Sequence, residues 1–274
     1  MRGFFKWLRG RGQGLKSYGI DVALASDPGC VRTDNEDSVQ FFSPQGDPQS
    51  ALAVVADGMG GHNAGEIASR EAVAAIGSRY LKPWKNPLRT LQTGFTDANA
   101  RIFALAGQHP EWSGMGTTAI ALLIAKGMAS YAHVGDSRLY RLRKGLMEQL
   151  SSDHTLVATL VRDGLIPPAE ASNHPDRNVI TRAIGTKPTV DVEVATNEWP
   201  IQIGDIYLLC SDGLYDLLPD WEIASTLRDN KPNEACKVLV ATAKDRGGYD
   251  NISVIVLTIR EPHSVPAEAP PTKM

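Results

Sequence analysis

Asp57, Asp136, Asp212 and Asp250 each stand where an apolar run of the chain stops or begins. Ala51-Leu52-Ala53-Val54-Val55-Ala56 runs into Asp57-Gly58-Met59-Gly60-Gly61, and Tyr131-Ala132-His133-Val134 runs into Gly135-Asp136. Asp205 to Cys210 runs into Ser211-Asp212-Gly213, and Asp250-Asn251 directly precedes Ile252 to Leu257. One carboxylate at a strand tip costs little, because the tip is wet. Several converging on one sheet edge is a different matter: at an effective dielectric of about 20, two like charges ~4 Å apart repel by roughly 4 kcal/mol. Such a cluster calls for cations, and oxygen donors select hard ones such as Mg²⁺ or Mn²⁺.

Taken singly, each motif has a plain alternative. Glycine at 58, 60 and 61 lets the backbone turn sharply and approach a ligand, with the Asp57 carboxylate and the Gly58 carbonyl as hard donors; Asp-Gly is also a common turn dipeptide. In Arg32-Thr33-Asp34-Asn35-Glu36-Asp37 the guanidinium offers a fork for phosphate and the acids can hold metal-bound water, or the segment is a solvated charged loop. Gly135-Asp136-Ser137-Arg138 reads as a hairpin tip. Its serine is not a nucleophile elbow, because Leu139 takes the place of the last glycine of G-x-S-x-G. Asp212 and Asp216 are spaced to share one face of a helical turn. His62 beside the glycine turn is a candidate proton donor. His133 reads as a core residue with its ring satisfied, and His154 as a residue following an N-cap. No HExxH and no GxxxxGK[ST] occurs, which removes support for zinc proteases and P-loop enzymes.

The elements that must place these residues follow from periodicity and breakers. Strands are expected at Ile20–Ala25, Ser38–Phe42, Ala51–Ala56, Thr117–Ile124, Ala129–Val134, Arg138–Arg141, Asp205–Cys210 and Ile252–Ile259. The pair 129–134 and 138–141 is expected as a tight hairpin turning at Gly135-Asp136. Helices are expected from Asn63, with Glu66 completing a capping box, to about Tyr80; from Leu88 to Leu105; from near Asp153 to Gly164; and from Pro232 to Gly247-Gly248. Runs of strands interrupted by pairs of helices indicate an α+β fold. Leu165 to Asn178, with Pro167-Pro168 and Pro175, is expected as a surface flap able to gate a site.

The 274 residues, 42% of them hydrophobic, suffice for a sizeable core. A net charge of −3 argues against a general nucleic-acid binder. The three cysteines, Cys30, Cys210 and Cys236, show no paired spacing and point to a reducing, cytoplasmic setting. No apolar run approaches the ~20 residues of a membrane helix. Residues 1–17 form a basic leader with Phe4, Phe5, Trp7 and Leu8, read either as a frayed terminus or as a weak anchor for an anionic surface. Residues 261–274, rich in Pro and Ala, are expected as a disordered tail.

The order of the motifs is more specific than any one of them. R-T-D-N-E-D-S (32–38), V-A-D-G-M-G-G-H (55–62), G-M-G-T-T (114–118), V-G-D-S-R (134–138), L-S-S-D-H (150–154), T-R-A-I-G (181–185), L-C-S-D-G-L-Y-D (209–216) and D-N-I-S (250–253) together resemble the metal-dependent protein serine/threonine phosphatases. This is the PPM family, also called protein phosphatase type 2C, and the form here is similar to its compact bacterial members. The resemblance spans about Tyr18 to Arg260 and implies one domain over 18–260. The fold it implies is a four-layer α-β-β-α sandwich, a central antiparallel β-sandwich flanked by helices, with a flap over about 165–178.

By matching motif, the resemblance implies that Asp57 bridges two Mn²⁺ or Mg²⁺ ions and Gly58 ligates one through its carbonyl. Asp212 and Asp250 complete the other, and Glu36 and Asp37 hold metal-bound waters. Asp136, with Asp212 and Asp216, forms a weaker third site, and Arg32 binds the phosphate. One position departs from the pattern: animal members place a general-acid His two residues after the bridging Asp, where this chain has Met59. The implied reaction is direct attack of a metal-bridged water on phosphoserine or phosphothreonine in proteins, opposing a cognate Ser/Thr kinase in signalling, by a monomer. The alternatives are another two-metal phosphoester hydrolase, such as a nuclease, and a phosphatase-like binding module without turnover.

Overall fold

The computed structural model describes residues 15–44, 46–61, 64–171 and 174–262. Most of the basic leader, His62, Asn63 and the tail from 263 lie outside the described residues. The chain runs β1 (Gly19–Asp27), β2 (Asp37–Phe42), β3 (Ala51–Met59), α1 (Ala64–Leu81), α2 (Pro87–Gln108), β4 (Gly116–Thr117), β5 (Ala119–Ala125), β6 (Met128–Val134), β7 (Arg138–Arg143) and β8 (Leu146–Gln149). It continues with α3 (Leu156–Arg162), α4 (Pro168–Ala171), β9 (Glu193–Val194), β10 (Trp199–Pro200), β11 (Ile206–Cys210), α5 (Asp212–Tyr215), α6 (Asp220–Asp229), α7 (Pro232–Asp245) and β12 (Ile252–Arg260).

Two antiparallel sheets form, one in the order β1-β12-β11-β7-β8 and the other in the order β10-β6-β5-β3-β2. Side-chain alternation along each central strand explains why both become fully apolar. In β5, Ile120, Leu122 and Ile124 fill the space between the sheets, while Ala121 and Leu123 face α1 and α2. In β12, Ile255, Leu257 and Ile259 point between the sheets, and Val254 and Val256 face α6 and α7. Three apolar layers thus separate four layers of secondary structure: helices, sheet, sheet, helices. The small residues Ala64, Gly65, Ala68 and Ala72 let α1 approach its sheet closely.

The hairpin expected between 129–134 and 138–141 does not form. β6 and β7 lie in different sheets, and Gly135-Asp136-Ser137 carries the chain from one to the other. The physical reason is burial: Asp136 is 4% exposed and Ser137 0%, whereas a hairpin tip would leave them in water. The tight hairpins lie elsewhere. β5 and β6 join through Lys126-Gly127, and β7 and β8 through Lys144-Gly145, with both residues of each pair at positive φ (53° and 71°; 53° and 80°). This is the twist a two-residue antiparallel turn demands. The third helix also starts later than expected. The Thr155 hydroxyl accepts from the Ala158 N–H at its N-terminus, and Asp153 is instead occupied by Arg138.

Candidate active site

The open edge between the two sheets gathers the acids from both. Asp57 shares its strand face with Ala53 and Val55, which point between the sheets. Directly across the ladder stands Asp37, paired in register with Asp57. Asp57 is therefore part of β3 rather than at its wet tip, and Asp37 is only 8% exposed. From the other sheet, β11 ends at Cys210 and Asp212 opens the short helix α5. The Asp216 N–H donates to the Asp212 carbonyl at 3.0 Å, so the two carboxylates stand one turn apart. Asp250 lies in the turn that launches β12, and Asp136 in the crossover between sheets.

The chain tolerates this approach only through glycine at two points. A Cβ on Gly58 would stand 2.1 Å from the Gly65 carbonyl oxygen and 2.6 Å from that of Glu36. A Cβ on Gly213 would stand 2.1 Å from the Asn251 carbonyl oxygen. The Glu36 carboxylate itself lies against Gly65 in the first turn of α1, where the helix N-terminus favours negative charge.

Electrostatics show how tightly the acids are grouped. Burial first, then the charges of Asp37, Asp212, Asp136 and Asp250, pushes the Asp57 carboxyl well above the usual carboxylate range. Burial, then Asp136, Asp250 and Asp216, does the same to Asp212. Burial and the charge of Asp153 push Asp136 up to about 7. Burial, opposed by hydrogen bonds from Ser253 and Ser211, leaves Asp37 at about 6. Glu36 and Asp216 are also raised, chiefly by burial. Groups that repel one another this strongly need a positive charge among them. Two oxygens mark its place: Asp37 Oδ1 and Asp212 Oδ1 are buried and have no hydrogen-bond partner. An all-oxygen set with orphaned lone pairs fits a hard divalent cation.

Arg32 stands at the rim. Its Nη2 donates to Asp250 Oδ2 at 2.8 Å, and about half of the side chain (53%) remains exposed. A cavity of about 1060 Å³ opens beside Asp250. Asp136, Asp212 and Asp250 line it, together with Arg162 at the end of α3, Pro168 in α4 and Arg177. Arg177 is close enough to lower the Asp216 carboxyl against the effect of burial.

The residues that support the acids carry no distinctive type or spacing in the sequence. The Thr118 hydroxyl accepts from the Asp57 N–H at 3.0 Å, and the Thr117 hydroxyl donates to the Asp57 carbonyl at 2.8 Å. Asn251 accepts from the Glu36 N–H (2.8 Å) and donates to the Asp34 and Pro28 carbonyls (3.0 and 3.1 Å), which ties the 28–36 loop to β12. The Ser211 hydroxyl donates to Asp37 Oδ2 at 2.8 Å. Arg138 holds Asp153 in a bidentate pair and lies 3.6 Å over the Tyr215 ring, whose hydroxyl donates to the Asp136 carbonyl. The one signal in the sequence is that Ser211 and Asn251 stand beside Asp212 and Asp250, whereas Thr117 and Thr118 fall in a block without an acid. His133 differs from expectation: it is 0% exposed, yet neither ring nitrogen has a partner.

Comparison with known proteins agrees with this geometry. Residues 32–241 match the family model described as protein phosphatase 2C. The serine/threonine phosphatase Stp of Listeria innocua is 35% identical over 250 residues, covering 87% of this chain and 95% of that protein. The crystal structure of the Mycobacterium tuberculosis serine/threonine phosphatase PstP superposes with a TM-score of 0.81 at 38% identity, covering 88% of this chain and 99% of that one. A PstP catalytic domain in complex with two manganese ions gives a TM-score of 0.77 at 36% identity, covering 89% of this chain and 100% of that one. The chain belongs to the protein phosphatase 2C family and is a metal-dependent serine/threonine protein phosphatase of the bacterial type.

Proposed function

We propose that this phosphatase works at the acidic edge of the sandwich, with Asp57, the Gly58 carbonyl, Asp212 and Asp250 as ligands of two Mn²⁺ or Mg²⁺ ions. Glu36 and Asp37 hold the ions' water shell, and Asp136, Asp212 and Asp216 form a third, weaker site. The observation that carries this is the pair of orphaned buried oxygens, on Asp37 and Asp212, inside a cluster of mutually repelling carboxylates. When bound, the ions supply Lewis-acid charge for the phosphoryl oxygens and water acidic enough to ionise near neutral pH.

The chain's own groups do the rest. Arg32 grips the phosphate oxygens with the part of its guanidinium left free, while Asp250 fixes its aim. The serines and cysteine next to the acids are poor nucleophiles: Ser137 and Ser211 are fully buried and engaged with Thr118 and Asp37, and Cys210 is buried. Water is therefore the attacking group, without a phosphoenzyme. Met59 offers no proton, so the leaving oxygen takes its proton from solvent in the open cavity. His62, the other candidate donor, lies outside the described residues.

The substrates are phosphoserine and phosphothreonine in proteins, seated with the phosphate at Arg32 and the peptide in the cavity below the flap at 165–178. A Ser/Thr kinase makes these substrates, and the setting is cytoplasmic signalling. Three free cysteines and no helix long and apolar enough to cross a membrane among the described residues support that setting. One copy of the domain at 18–260 carries the whole donor set, so a monomer suffices. Phosphate release from a phosphothreonine peptide tests the proposal. It is expected with Mn²⁺ and abolished by chelator, and equal rates in both would remove the metal.

A further inference from the structure

Behind the crossover that carries Asp136 lies a buried polar group that the reaction does not touch. The Gly135 N–H donates to His154 Nδ1 at 3.1 Å, and the His154 N–H donates to the Gly135 carbonyl at 2.8 Å. Because Nδ1 accepts, the neutral ring carries its proton on Nε2. That proton goes to Glu193 Oε2 at 3.2 Å, and Glu193 is held in turn by the Tyr131 hydroxyl at 2.9 Å. Arg182, 3.3 Å from the same Nε2, cannot donate to a nitrogen that bears a proton; it pairs with Asp191 at 3.1 Å. His133 stacks on His154 with ring centroids 4.6 Å apart.

Potential ligand atoms of His133, His154 and Glu193 lie within 4.8 Å of one another, but the arrangement is not a metal site. Rings stacked at 25° aim their in-plane lone pairs side by side rather than at one point. The Nδ1 of His154 is already occupied, and the Arg182 cation stands against its Nε2.

The other side of Gly135 is equally constrained. Its φ is +105°, and a Cβ there would stand 2.5 Å from the Thr118 Cβ. Thr118 accepts from the Asp57 N–H and shares a hydrogen bond with Ser137 at 2.7 Å. Gly135 is thus held between Thr118 and His154, its N–H by the His154 ring and its carbonyl by the main-chain N–H of His154. The His154 carbonyl also accepts from the Thr181 N–H and hydroxyl (2.8 and 2.9 Å), just beyond the flap. We infer that His154 is a positioning residue for Asp136: its Nδ1 lone pair fixes the Gly135 peptide and so aims the Asp136 carboxylate into the acidic cleft. The inference rests on the proposed role of Asp136 as a metal ligand.

Two substitutions separate the two ring nitrogens. His154→Asn keeps an acceptor near the place of Nδ1, and His154→Gln keeps a donor near the place of Nε2. Mn²⁺ binding to the full chain is measured by calorimetric titration, alongside kcat and KM for an aryl phosphate. His154→Gln is expected to weaken the weakest Mn²⁺ site by ~10-fold or more, as loss of an outer-shell partner does. KM is expected to stay within about 2-fold, and His154→Asn to stay near the wild type in both. Equal behaviour of the two variants, or an unchanged titration in His154→Gln, overturns the inference. Asp136→Asn is the control: if it leaves Mn²⁺ binding unaltered, the role of Asp136 fails and the inference falls with it. If it weakens binding while His154→Gln does not, only the inference falls. Should the His154 variants fail to fold, ¹⁵N shifts of the wild-type ring decide: a proton on Nε2 is required, and one on Nδ1 overturns the inference.

Discussion

Asp212 is the residue on which chemistry and stability pull hardest against each other. Its carboxylate is shifted far upward by burial and by four neighbouring acids, and one oxygen has no partner. Asp212→Asn removes a repelling charge and, on the proposed assignment, a metal ligand together. Turnover is expected to fall by ~10³-fold or more, while the metal-free protein melts at the same temperature or higher. Retained turnover would contradict the assignment. Arg32 makes the opposite case, since among the described residues Asp250 alone is hydrogen-bonded to it and half of it is exposed. Arg32→Ala is expected to lower kcat/KM by ~10²–10³-fold with little change in melting temperature. Arg32→Lys should recover little of this, because a point charge cannot reproduce the fork.

Among the elements, the crossover between β6 and β7 decides the most. Three residues switch sheets, bury two polar side chains and deliver Asp136, which a surface hairpin could not do. Gly135 makes this possible, so Gly135→Ala meets both a strained φ and the Thr118 side chain. A cost of about 1–3 kcal/mol is expected, read as a lower urea midpoint with an unchanged slope. Weaker Mn²⁺ binding should accompany it. A fully stable Gly135→Ala variant would show that the crossover is looser than described.

At the scale of the whole molecule, the sandwich spends stability to keep its acids together. Asp37 at about 6 and Asp136 at about 7 in the fold compare with about 3.9 for a free aspartate. The folded state therefore binds more protons than the unfolded state between pH ~4 and ~7, and stability declines as pH rises through that window. Chelated protein is expected to melt lower at pH 7.5 than at pH 5. Saturating Mn²⁺ should narrow the difference, since an ion at 100 times its Kd adds about 2.7 kcal/mol at pH 7.5, while at pH 5 protons compete for the same oxygens. Differential scanning at the two pH values, with and without chelator, reads this directly. A flat profile in chelator would show that the carboxylates do not share one buried space.

Much of this protein was legible in its residues. The apolar runs of β3, β5, β11 and β12 announced buried strands because both their faces are covered. The helix α1 announced itself by a capping-box pattern and α7 by Pro232 and Gly247-Gly248 at its ends, and the ordered blocks around Asp57, Asp212 and Asp250 announced the family. What could not be read was which strand joins which sheet. Alternation fixes the face a side chain takes, not the partner its strand finds, so Gly135-Asp136 passed for a hairpin while Lys126-Gly127 and Lys144-Gly145 went unnoticed. Nor could the sequence show that Thr118, His154 and Asn251 brace the acids, since those contacts join residues far apart in the chain. Residue order determined the donors; only the meeting of two sheets at one edge decided that they share a space too small for their charges.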